Sequence, residues 1–336
     1  MPRLTQAIKN LTRLTSLSTR VLADSPFQGT AFVQRPPSYT LPAFFGVAGY
    51  FGGGFDGTVR LSGIDKITFP ADTKTTLVAT LTSAVSELGA MANSAVAGYF
   101  AGGLSPHTDR IDKITFGLDT KTTLSATLTT ANADAAGMAN SGVAGYFGGG
   151  YDTSYVSRID KITFPVDTKT TLSATLTSAR YSPAGMANSG TAGYFGGGDT
   201  GAKVSGIDKI TFPADGKTTL SPTLTSARSD AAGMANSGVA GYFGGGYDST
   251  YISGIDKITF PADTKTTLSA TLTSARYQLA GMANSGVAGY FGGGDTGAYQ
   301  SNIDKITFPA DSKTTLSATL TSGRRLLAGM ADTGAL

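Results

Sequence analysis

Three features of the sequence predict an all-β fold, a ring of six four-stranded blades closed by the two chain ends. The first is an internal period. Gly-Tyr-Phe recurs at Gly49, Gly98, Gly145, Gly193, Gly241 and Gly289, 47 to 49 residues apart. Ile-Asp-Lys-Ile-Thr-Phe follows each copy, starting at Ile64, Ile111, Ile159, Ile207, Ile255 and Ile303. A period of about 40–50 residues with four short strands per unit marks a β-propeller. The second is composition. With 45 glycines, no Trp, no Cys and only 15% charged residues, the 336 residues suit many short strands joined by turns. The third is how the repeats begin and end. The first copy enters at "GVAGYFGGG" (46–54) without a preceding strand, and the last leaves a spare strand in "LAGMADTGAL" (327–336). The spare strand is expected to pair with the first and complete one blade, which removes free sheet edges.

Within the third copy, "AGMANSG" (136–142) predicts an innermost strand and "VAGYFGGG" (143–150) the second. "SRIDKITF" (157–164) predicts the third and "TTLSATLTS" (170–178) the outermost. Asn140-Ser141-Gly142 and "PVDTK" supply turn residues between them. Alternation places Asp160, Ile162 and Phe164 on one face. Glycine inside a strand normally weakens it, but six copies at a fixed offset from Tyr-Phe predict a crowded axis where neighbouring backbones approach closely. Tyr146 and Phe147 then project to opposite faces and pack against the flanking blades.

The glycine doublet Gly149-Gly150 after an aromatic pair, Asp160 ahead of the last turn, and Arg180 beyond the outer strand resemble the kelch repeat. The resemblance covers residues 46–336. It departs at the outer strand, where Leu172 stands in place of the usual Trp. With "IDKITF" and the Asp-Thr turn that follows it, the units look like kelch-type repeats of virion structural proteins from tailed phages, especially those of cyanobacteria. That resemblance implies a virion surface component on the extracellular particle, such as a tail fibre, tail tip or capsid decoration. It implies two segments: residues 1–45 anchoring to other virion proteins, and a propeller of residues 46–336 meeting a host receptor or glycan. A cellular interaction scaffold and a secreted sugar-active enzyme are the alternatives.

Composition excludes several chemistries. Five cationic residues against Asp24 leave residues 1–45 at +4, so the body is near neutral although the chain carries +3. A near-neutral body lacks the basic face of a nucleic-acid binder. No stretch reaches the roughly 20 apolar residues of a membrane span. Without Cys there is no disulfide or thiolate site. His107 is the sole histidine, which excludes a multi-histidine metal centre and the copper-oxidase chemistry of some kelch-like propellers. Gly216-Lys217-Thr218 resembles the end of a phosphate-binding loop but lacks the earlier glycine and the helix. Asp199-Thr200-Gly201 and Asp295-Thr296-Gly297 read as ordinary turns, with calcium ligation the lesser alternative. A non-enzyme without catalytic residues, metal or cofactor is expected.

Comparison of the copies locates a binding face. The turns between the first two and the last two strands barely vary, whereas the other two connections diverge in every copy. Because strands alternate in direction, the divergent connections emerge on the same side. The aromatic candidates there are Phe55, Tyr151, Tyr155, Tyr181, Tyr247, Tyr251, Tyr277 and Tyr299. Asp152, Asp248, Arg180, Arg228, Arg276 and Arg324 lie among them. Tyr and Arg are enriched in binding hot spots, and aromatic faces beside carboxylates suit sugar rings.

In residues 4–22, Leu4, Ile8, Leu11, Leu14, Leu17 and Val21 recur every three or four positions and predict a helix with one apolar stripe. A Pro-stiffened connector, "PPSYTLPAFF" (36–45), follows. The arm is expected to dock into a larger assembly, self-association included.

Overall fold

Strand pairing in the computed structural model, which describes residues 47–333, produces six separate four-stranded sheets. They are numbered here as blades 1 to 6, in the order of their Gly-Tyr-Phe copies. In blade 3 the strands run Ala136–Asn140, Ala144–Gly148, Ile159–Thr163 and Thr168–Thr171, each antiparallel to the next. The other blades repeat this pattern. All described elements are strands, so the expected six-bladed propeller is the fold. The helix expected over residues 4–22 and the connector expected over 36–45 lie outside the described residues.

The two chain ends share blade 1. Ala328–Ala331 pairs with Ala48–Gly52 and sets Met330 opposite Tyr50, which is the closure that the spare C-terminal strand predicts.

Side-chain alternation sorts each blade into two faces. Phe147, Asp160 and Phe164 face the preceding blade: Phe147 lies over Gly89 and the Phe164 ring stacks on Tyr99 at 5.3 Å. Tyr146 and Lys161 face the following blade, where both reach Asp215 at 2.8 and 2.6 Å. Met138 packs on the same side, against Gly193. The core therefore consists of layers between blades, as in the cluster of Met138, Tyr146, Ile159, Phe195, Ile210 and Phe212. The glycine in the innermost strand has a definite cause. A Cβ on Gly233 would strike the Gly185 carbonyl of the neighbouring blade, so glycine there lets the strands crowd the axis; blade 2 alone carries Ala90 at the equivalent position.

Each interface carries the same polar clamp. In blade 4, Tyr194 donates to Asp263 at 2.7 Å and stacks on Phe260 at 5.3 Å, while Lys209 donates to the same carboxylate at 2.6 Å. Burial, then the hydrogen bond to Asp263, pushes the Tyr194 phenol far above its ordinary range, so it stays a neutral donor. Tyr194→Phe keeps the stacking and loses the hydrogen bond. It should destabilise the fold by about 1 kcal/mol in urea titration.

The outermost strand differs from the sequence expectation. It spans Thr168–Thr171 rather than 170–178. Leu172 N still donates to Ile159 O, but the chain then turns away. Leu176 becomes buried, and Thr177 donates through both N (2.9 Å) and Oγ1 (2.5 Å) to Asp208 of the next blade. Burying a leucine and satisfying a buried carboxylate outweigh continuing an exposed strand.

Candidate functional site

The divergent connections do meet on one side, and they build a rim of short backbone bridges. Each bridge joins the residue after the Arg180-type position to the first residue of the following blade's long loop. Tyr181 and Asp199 exchange N–H···O bonds of 3.1 and 3.0 Å, and Ser229 and Tyr247 exchange bonds of 3.1 and 2.9 Å. A second bridge closes five of the six long loops, as in Tyr151 with Tyr155 and Tyr247 with Tyr251.

These bridges bring the predicted aromatics into contact. Tyr155 stacks on Tyr181 at 5.3 Å, with Tyr151 tilted at 6.1 Å from Tyr155. Tyr251 stacks on Tyr277 at 5.0 Å, and Tyr247 touches both, at 6.0 and 5.7 Å. Phe55 and Tyr299 meet edge to face at 6.0 Å. Tyr151, Tyr155 and Tyr251 are 37–38% exposed, large for aromatic side chains. They carry this exposed apolar area on a scaffold fixed by main-chain bonds.

Charged residues outside the predicted binding set join the three aromatic groups. Asp199 accepts from Tyr181 Oη at 3.3 Å and from Lys203 at 2.6 Å, while the Lys203 ammonium lies 5.4 Å from the Tyr247 ring centre. Arg325 donates to Asp295 at 2.9 Å and to Tyr277 Oη at 3.0 Å, and lies 5.1 Å from the Tyr299 ring centre. Arg60 lies over Phe55. The contacts form one arc from Tyr151 through Tyr181, Lys203, Tyr247, Tyr277 and Arg325 to Phe55. Asp199 and Asp295 were readable as members of this arc, since each occupies the loop position held by Tyr151 and Tyr247 in other copies. His107, half-buried, extends the arc past Tyr151 at 6.1 Å.

Six predicted face residues have other tasks. Arg180, Arg228, Arg276 and Arg324 are at most 2% exposed and take no part in the surface. Each donates from Nη2 to a buried carboxylate of the following blade: Asp208, Asp256, Asp304 and Asp65, at 2.8 to 3.1 Å. The same Nη2 donates to a main-chain carbonyl, such as Phe291 O from Arg276 at 3.1 Å. The loops around these arginines vary from copy to copy, which is why the sequence predicts them on the variable face. The ion pair turns them inward. Asp248 serves its own loop, and Asp152 ties its loop to the connection from the preceding blade. Asp152 takes bonds from Thr130 and Arg158, and Asp248 accepts from Thr250 N at 3.1 Å.

The two interfaces without this arginine carry Val85 and Asn132 instead, and there the receiving blade supplies its own cation. Arg110 and Arg158 stand immediately before the third strand, with Nε 3.9 and 3.8 Å from Asp112 and Asp160. In the other four blades that position is Gly63, Gly206, Gly254 or Asn302. The carboxylate thus has an arginine beside it in all six blades, by either of two routes, in addition to a lysine of its own outermost strand 3.3 to 3.9 Å away.

The Asp-Thr-Gly turns are also engaged by their own chain. Asp199 Oδ1 accepts from Gly201 N at 2.7 Å while Oδ2 holds Lys203. Among the described residues, no group of three or more His, Cys, Asp or Glu side chains has the geometry to hold a metal ion.

No known family profile matches the chain, and no curated protein sequence matches it. Solved structures do. YjhT superposes with a TM-score of 0.62 at 13% identity, covering 80% of this chain and 97% of YjhT. The likeness is one of fold. It carries no residue of the rim from one protein to the other.

Proposed function

We propose that this protein is a non-enzymatic binding module whose tyrosine-lined rim grips a carbohydrate surface, and that residues 1–45 attach it to a particle such as a phage virion. The stacked pairs Tyr155–Tyr181 and Tyr251–Tyr277 support this reading most directly. They occur on the one face where the copies differ. Flat, rigid aromatic surfaces lose little side-chain entropy on binding, and the adjoining Asp199, Lys203, Asp295 and Arg325 offer hydrogen bonds to hydroxyl groups.

The opposite face is built differently. Val47, Val96, Val143, Val239 and Val287, all 38–47% exposed, follow one another around it at equivalent positions, with Thr191 in the sixth. The described chain begins on that face, at Val47. An almost invariant ring of exposed valines suits attachment, and a diversified polar-aromatic face suits recognition. The particle assignment rests on the resemblance of the repeats to phage virion proteins. A cellular interaction scaffold would use the same rim for a protein partner.

A glycan array probed with the full chain tests the reading. Specific glycans should be retained, and a Tyr155→Ala/Tyr251→Ala variant should lose about tenfold or more in affinity for them, since each stacking contact contributes about 1 kcal/mol or more. Binding that survives both substitutions unchanged would remove the rim from recognition.

A further inference from the structure

At the centre of the same face, six residues close a ring of main-chain hydrogen bonds around the axis. Glu87 N donates to Leu326 O, Asp134 N to Glu87 O, Ser182 N to Asp134 O, Asp230 N to Ser182 O, Gln278 N to Asp230 O and Leu326 N to Gln278 O, at 2.8 to 3.2 Å. All six residues have positive φ, between 48° and 61°. Outside glycine this conformation is costly, and the chain adopts it six times to close the ring.

The ring frames the mouth of an axial cavity of about 120 Å³. Below the mouth its walls are small, with Ala136, Ala184, Ala232, Ala280 and Ala328 among them. At the mouth, hydrogen-bond acceptors outnumber donors. Glu87, Asp134 and Asp230 bring three carboxyl groups. The Ser182 side chain is only 7% exposed, and it sits beside Asp134 and Asp230 without completing a directed bond to either. Gln278 Oε1 also has no partner. The internal donors are Ser229 Oγ to Asp230 at 2.6 Å and Gln278 Nε2 to Asp230 at 3.5 Å.

We infer that the axial mouth is a binding site for a primary ammonium on a short alkyl stem, as in a free alkylamine. The NH₃⁺ group supplies three donors to a ring of unfilled acceptors, and the stem enters a throat walled by alanine and glycine. Among the described residues, no three carboxyl groups, these included, have the geometry to hold a metal ion. An ammonium spans such a ring through separate hydrogen bonds. The charge balance agrees. Burial, and then the neighbouring carboxyls Glu87 and Asp230, drive the Asp134 pKa well up; Asp230 is raised by burial. Glu87 is raised by burial despite Arg60 and Arg325, and Lys203 only partly offsets the rise at Asp230. A group whose folded pKa is raised stabilises the fold below its unfolded value and loses that contribution as pH rises through the folded one. A bound cation restores it.

The test titrates the full chain with n-butylammonium, tetramethylammonium and calcium chloride separately, reading heat of binding and Tm at pH 5 and pH 8. The expected result is saturable n-butylammonium binding with a larger Tm rise at pH 8. Tetramethylammonium, which has no N–H donor, should not bind. Asp134→Asn and Asp230→Asn keep side-chain shape, so both should fold and bind about tenfold more weakly. Nα-acetyl-lysine amide carries a backbone at the inner end of its stem, for which a cavity of about 120 Å³ leaves little room; it should bind far more weakly than n-butylammonium, and equal binding would overturn the inward placement of the stem. Absence of n-butylammonium binding, equal response to tetramethylammonium, preference for calcium, or undiminished binding by both Asn variants would each overturn the assignment. Because the rim tyrosines lie outside this mouth, the Tyr155→Ala/Tyr251→Ala variant should bind n-butylammonium normally.

Discussion

A chain ending at residue 326 is expected to lose its cooperative fold. The deletion removes Ala328–Ala331, the innermost strand of blade 1, and with it the pairing to Ala48–Gly52. It also removes Met330, fully buried against Gly98 of blade 2, and Leu327, 6% exposed. Tyr50 and Phe51, at most 1% exposed, would lose the strand beside them. Each large apolar group returned to water costs about 1.5–3 kcal/mol, against a total stability of roughly 5–15 kcal/mol. Thermal melts followed by circular dichroism should show a broad, low transition, and size exclusion should show aggregates formed through the opened strand. A chain ending at residue 333 keeps the Thr333 Oγ1 bond to Ala283 O and should behave as the full protein. If the shorter chain melted like the longer one, the ring would not depend on its terminal strand.

Asp304→Ala should be the most damaging single substitution at the blade interfaces, destabilising by about 3–5 kcal/mol in denaturant titration. Its carboxylate takes Thr273 N (2.9 Å) and Oγ1 (2.5 Å), Thr315 Oγ1 at 2.8 Å and Arg276 at 3.0 Å. Arg276 is 0% exposed, so removing the carboxylate strands a cation that water cannot reach. The cost comes mainly from that unpaired charge. Arg276→Met combined with Asp304→Asn should therefore cost less than the two single substitutions added together.

Acid stability offers a second reading of the same pair. Burial works against ionisation of Asp304, but the Thr273 bonds and the Arg276 charge outweigh it and hold the pKa below its ordinary value. Asp65, Asp208 and Asp256 are lowered in the same way. A depressed folded pKa contributes stability above the unfolded value of about 4 and loses it as pH falls through the folded value. Tm should therefore fall steeply below about pH 4, and Asp304→Ala should flatten that limb. An identical acid limb in the variant would show that Asp304 does not titrate with folding.

Much of this was legible because the chain contains six versions of itself. The period, strand order and closure follow from copies in which Tyr-Phe, Ile-Asp-Lys-Ile-Thr-Phe and the methionine hold fixed offsets. The exchange of Arg180-type arginines for Arg110 and Arg158 was equally open to inspection. Wherever the connecting segment carries Val85 or Asn132, the next blade begins its third strand after an arginine. The tyrosines of the variable face were legible as a group, since alternating strands send those loops to one side.

The sequence by itself determined the ring, its blade count, its closing strand and the side on which variation gathers, because each depends on period and alternation along the chain. Only the tertiary structure decided which variable residues face water. Arg180 and Tyr181 are neighbours in one loop, yet the arginine is drawn inside by the next blade's carboxylate while the tyrosine stacks on Tyr155 outside. It also brought Glu87, Asp134 and Asp230 to one axial mouth, although they lie about 50 and 100 residues apart in the chain. Direction in the first case and convergence in the second depend on partners from other blades, which spacing along a strand does not encode.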